Sequence, residues 1–148
     1  MGLVAFHAGL KAQLLADAGL SAWASTHFKK AFTTVDGNRE IDTLETHEVP
    51  AFIFELADGD TGPEVSNYSQ HVTTALQVAV AWFEADPVRA FAQRAALPDI
   101  MIHAVGAEPT LGNNIDGAWV ERFQPVRGGR PFVHVLRFSV AGEYNVVF

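Results

Sequence analysis

From Ser69 to Phe83 the chain alternates apolar with polar or small residues without a break, SQHVTTALQVAVAWF. An ordinary strand runs about 5 to 6 residues; this one is far longer. Val72, Leu76, Val78, Val80 and Trp82 fall on one face, and His71, Thr73, Ala75, Gln77, Ala79 and Ala81 on the other, because successive strand side chains take opposite sides. The first face predicts a core. The second, small and mildly polar, admits a close neighbour: a helix of this chain or a strand of another. At about 3.3 Å per residue the run would reach roughly 50 Å, more than a domain of this size needs internally, so the pattern points to assembly.

The other elements follow from period and punctuation. Leu3, Phe6, Leu10 and Leu14 recur at helical spacing, which predicts a first helix from about Leu3 to Ala18 with Gly19 as a left-handed cap. Lys29 to Val35 reads as a strand closed by Asp36-Gly37. Val49 to Ala57 reads as a stronger one, with Phe52, Phe54 and Leu56 on one face and Pro50 at its head. The acid- and glycine-rich segments VDGNREIDTLETHE and DGDTGPEVSN are expected to be mobile surface loops. Asp86-Pro87 starts a helix carrying Val88, Phe91, Ala92 and Ala95. Leu97-Pro98-Asp99 predicts a break before a second helical segment with Ile100, Met101, Ala104 and Val105, since proline is poorly accepted inside a helix. After the loop GAEPTLGNNIDG come two closing strands, about Ala118 to Pro125 and Pro131 to Ala141, joined by VRGGR. Phe132, Leu136, Phe138 and Val140 are expected to face the core beside His134. The fold class is α+β: one domain over residues 1–148, with a mixed, mainly antiparallel sheet and helices packed on one face.

Composition narrows the function classes. A chain of 148 residues, 49% hydrophobic, builds one sizeable core. The N-terminal stretch lacks the plan of a signal peptide and no apolar run approaches the roughly 18 residues of a membrane span, so a soluble intracellular protein is expected. Without cysteine, metal ligands are confined to histidine and carboxylate. A net charge of -7 argues against a sequence-independent grip on nucleic acid, which needs Lys and Arg against phosphates.

Chemistry-bearing patterns are sparse. The six histidines form no HExxH or other i, i+4 pair. His47-Glu48 reads as a solvated loop dipeptide, and Asp58 and Asp60 with Gly59 and Gly62 fall short of a calcium loop, which needs a twelfth-position Glu and flanking helices. There is no GxSxG elbow and no phosphate-cradling glycine loop. Hence no catalytic residue, cofactor or metal is assigned. His71 and His134, both on strands, read as two satisfied core-edge histidines or as a ligand pair meeting across the sheet. Arg127 and Arg130 flank the last hairpin and read either as a partner contact or as solubility charges. Trp82 and Trp119, inside strand patterns, are expected in the core.

Taken in order, the apolar helix LKAQLLADAGL, the strand VPAFIFEL, the long strand ending AVAWFEADP, the helix after Asp86 and the closing FVHVLRFSVAGEYNV resemble the phage tail terminator family, similar to minor tail protein U. The likeness covers most of the chain and rests on architecture and short phrases, with Asp36 to Glu48 and Leu97-Pro98 the places it fits least. It implies a non-enzymatic structural protein of the virion tail, assembled in the host bacterial cytoplasm. Such a protein forms a ring, commonly of six subunits, that ends polymerisation of the tail tube protein and presents a surface to the head connector protein. Candidate partner-contact residues under that reading are Arg127, Arg130, Arg39, Glu40, Asp58 and Asp60. Two rival readings remain: a small-molecule-binding or enzymatic α+β domain with a pocket near His71, His134 and Trp119, and a neck or tail completion protein.

Overall fold

The structure is a computed structural model that describes residues 2–36, 43–66, 69–126 and 130–147. Helix α1 (Leu3–Ala16) and helix α2 (Ala18–Phe28) are separated by Asp17 alone, whose extended backbone ends one helix and starts the next. The Asp17 carboxylate accepts the Leu20 N–H at 2.9 Å, an N-cap that satisfies one of the orphan donors of α2. Gly19 is therefore not a C-terminal cap; it lies in the first turn of α2, where a Cβ would sit 3.2 Å from Ile100. The left-handed cap is Lys29, φ 55°. The periodicity missed α2 because AGLSAWASTHF is mostly small residues, and Leu20, Trp23 and Ala24 alone are buried.

Strand β1 (Thr33–Asp36) starts later than the expected Lys29 and is parallel to β2 (Ala51–Ser66). Strand β3 (Ser69–Phe83) has the predicted bounds and pairs antiparallel with β2. Helix α3 (Pro87–Gly106) follows, then β4 (Gly117–Val126) and β5 (Val133–Val147). The sheet order is β1-β2-β3-β5-β4, mixed through the single parallel pair. This is the expected α+β class. Two expectations fail along the strands. The segment after Ala57 is strand, not loop, since β2 continues beside β3 through bulges between Leu56 and Gly59 and near Glu64. Phe132 is exposed and outside β5, at φ 70°.

Helix α3 begins as predicted, with Asp86 accepting the Val88 N–H at 2.9 Å and Pro87 in its first turn. It does not break at Pro98. Proline there removes one helical N–H, but Leu97, Pro98 and Met101 are all buried, and that packing outweighs a single missing bond.

The three helices lie on one face of the sheet. Phe6, Leu10, Leu14, Leu20, Trp23, Leu97 and Met101 meet Phe52, Phe54, Leu76, Val78, Val80, Trp82, Leu136, Phe138 and Val140 in the main core. At Gly142 on β5 a Cβ would stand 2.6 Å from the Phe6 ring, so glycine alone lets α1 lie this close. The second face is half covered. Leu44 and Val49, flanking a short 3-10 turn at Thr46–Glu48, pack over Ala51, Ile53, Ala79, Ala81, Val133 and Val135 in a smaller apolar cluster. The expected mobile loop is thus, over its described part, a cover that explains why β3 carries alanine at 79 and 81.

Candidate functional site

The residues singled out from the sequence scatter over the sheet. Arg39 and Glu40 lie outside the described residues, as does Arg127. Arg130 is anchored: its Nη1 donates to the Leu44 carbonyl at 2.6 Å and its guanidinium stands 5.3 Å from the centre of the Phe83 ring. It fastens the covering segment to the last hairpin. Asp58 lies at the first bulge of β2, and Asp60 is paired with Thr73.

His71 and His134 do not meet. His71 is opposite Asn145, whereas His134 is opposite Trp82, so at about 3.3 Å per residue their backbones are on the order of 35 Å apart. They also fall on opposite faces, because the register offset between them is odd. His71 sits 3.3 Å from Asn145 Oδ1 and 3.6 Å from Glu143 Oε2. The His134 Nε2 is 2.9 Å from the Glu84 carbonyl, and its ring is 5.8 Å from that of Trp82. Trp119, on the edge strand β4 opposite Ala141, joins neither; at 43% exposure it is not the core residue that its strand pattern predicted. The pocket of the small-molecule reading is therefore absent among the described residues.

A buried polar chain runs beneath His134. Trp82 donates to Gln93 at 2.9 Å and Gln93 donates to Glu84 at 2.8 Å. Burial pushes the Glu84 carboxyl up, but the hydrogen bonds from Gln93 and the Asp86 N–H, with the Arg89 charge, outweigh it and hold the group below its ordinary value. Every member has a partner, which is what a buried polar group requires. The chain fixes the start of α3 to the end of β3.

Between the N-terminal turn of α1 and the sheet lies an open cleft of about 520 Å³, lined by Leu3, Val4, His7, Phe54 and Leu56. At its rim Asp36 receives Lys11 at 2.7 Å and His7 at 3.0 Å, and the Lys11 hydrogen bond leads the effects that lower its carboxyl below the ordinary value. Leu56 is 68% exposed because the sheet runs on past the helices. Glu45, His47 and Glu48 form an exposed cluster around the 3-10 turn. Its carboxylates are engaged locally: Glu48 accepts the Glu45 N–H, and Glu45 caps in return.

Sequence reasoning passed over Arg122 and Arg137. Both lie on the second face: Arg122, opposite Ser139, is exposed on its uncovered half, and Arg137, opposite Ala79, is half-buried at the border of the covered cluster. Neither has an ion-pair or hydrogen-bond partner among the described residues, and the Arg137 Nε is buried. The signal was present in FVHVLRFSV: an arginine inside an otherwise apolar strand is costly unless something meets it.

The fold defines a class, a two-layer α+β domain with three helices on one face of a five-stranded mixed sheet. A chain from the solved virion of a native gene transfer agent particle is similar to it in fold, with a TM-score of 0.51 over 94% of this chain and 93% of that one, at 14% sequence identity. No protein-family model and no curated protein matches the sequence.

Proposed function

We propose that this protein is a structural component of a phage-like particle and, within that class, a tail terminator: a ring that caps the tail tube, ends its polymerisation and offers a surface for head joining. The observation that carries the reading is the likeness in fold, over nearly the whole of both chains, to a chain of the gene transfer agent virion. It is strengthened by the order of elements that resembles tail terminators and by a sheet that outruns its helices at Leu56. The role needs no catalysis, cofactor or metal, and its partners are further copies of itself, the tail tube protein and the head connector. It is carried in the virion tail after assembly in the bacterial cytoplasm. Six subunits is the ring that the resemblance to tail terminators implies, built from head-to-tail contacts that close about an axis.

Disrupting the gene in a producing strain and imaging the lysate by electron microscopy tests this. The expected outcome is headless tails of unregulated length, restored to uniform length by the gene in trans. Uniform tails that fail only to join heads would point to a neck or completion protein, and particles of normal form would exclude both roles.

A further inference from the structure

We infer that the uncovered half of the second sheet face, at Trp119 and Arg122 with Arg137 at its border, is the docking surface for the acidic β2 segment of a second copy of this chain. The inference deepens the ring proposed above and rests on it only for head-to-tail geometry.

Charge complementarity names the occupant. From Leu56 to Ser66, β2 carries Asp58, Asp60 and Glu64 and no cation. Its described pairing with β1 runs as far as Phe54, and beyond that point no described strand lies on its outer side. On the receiving face, Arg122 and Arg137 have no ion-pair or hydrogen-bond partner among the described residues, and the Arg137 Nε is shut from water without a described acceptor. Such a group costs free energy until a carboxylate or carbonyl reaches it. The local carboxylate, Glu121, is directed to Ser139 Oγ at 3.4 Å. Trp119, exposed beside the small, buried Ser139 and Ala141, adds the flat aromatic surface that with arginine commonly anchors protein contacts. Covering stops short of this region, because Leu44 and Val49 reach Ala79 and Val135 but not Trp119.

Donor and receiver are different surfaces, so the contact is heterologous. Copies joined this way form a ring or a filament, not a closed pair. Gly62, Pro63 and the bulges in β2, with Pro125 in β4, break up both free edges and disfavour plain edge-to-edge strand addition. Face docking led by charge remains.

The test is sedimentation velocity on the purified chain from about 10 µM to about 1 mM at low ionic strength. The wild type is expected to self-associate, and the association to weaken at least about tenfold at roughly 0.5 M salt. Arg122→Glu with Arg137→Glu on the receiver, or Asp58→Lys with Asp60→Lys on the donor, should each weaken association by about tenfold or more. Mixing the two variants should restore it, because every contact then joins opposite charges. Arg122→Glu alone leaves the half-buried Arg137 in place and covers the case in which the double receiver variant fails to fold, as judged by circular dichroism. A wild type that stays monomeric throughout, variants that associate normally, or a mixture that recovers nothing would overturn the inference. Should the contact fail while gene disruption still deregulates tail length, the role stands without this interface. If the charge swap succeeds and tails are normal, the interface stands without the role.

Discussion

Gly142 shows how a single side chain sets the distance between layers. A methyl group there would meet the Phe6 ring at 2.6 Å, and Phe6 is fully buried. Gly142→Ala is expected to cost about 1–3 kcal/mol, the usual range for overpacking, with part recovered by adding Phe6→Leu; urea unfolding of the single and double variants measures both. Arg130 makes the opposite point, that a residue read as a free charge can be an anchor. Removing it strands the Leu44 carbonyl and exposes Phe83. Arg130→Ala should therefore lower stability by about 1–2 kcal/mol, where a plain surface charge would change it by within about 0.5 kcal/mol. The same unfolding experiment decides between them.

Among the elements, α3 and β3 are joined most firmly, by the chain from Trp82 through Gln93 to Glu84. Both Glu84 and Asp36, which ties β1 to α1, have carboxyls held below their ordinary values of 4.5 and 3.8. A lowered folded-state pKa adds stability that is present above the unfolded value and lost as pH falls through the folded one. The urea midpoint should accordingly drop as pH falls from about 5 through the lowered folded-state values. Glu84→Gln should flatten part of that fall, since it removes one of the two described carboxyls held below their ordinary values; an unchanged slope would mean that Glu84 is not held in its charged form.

At the scale of the molecule, stability is uneven by construction. The middle of β3 and β5 is buried between the helices and the Leu44–Val49 cover, whereas β2 beyond Phe54 has a partner strand on one side only among the described residues. Hydrogen exchange should find protection high at Leu76–Trp82 and Val135–Ala141 and low from Glu55 to Ser66. Docking of that segment on a neighbour predicts that its protection rises with protein concentration. Uniform protection along β2 in dilute solution would contradict the open edge.

What the sequence determined by itself was the local and periodic part. The bounds of β3, its core face, the Asp86-Pro87 helix start and the α+β class all follow from residues within one element or from steady alternation, which a single chain displays directly. Tertiary structure decided the rest. Helix α2 gains its burial from the sheet and not from its own period; Pro98 stays helical because its neighbours are buried. The distant placement of His71 and His134 is a matter of register. The candidate site was the least legible part, for it consists of Trp119 and Arg122 left exposed, with Arg137 half-buried at the border of the face that Leu44 and Val49 cover. A pattern tells which residues share a face, but only packing shows which part of that face remains for a partner, because burial is set by chain segments far away in sequence.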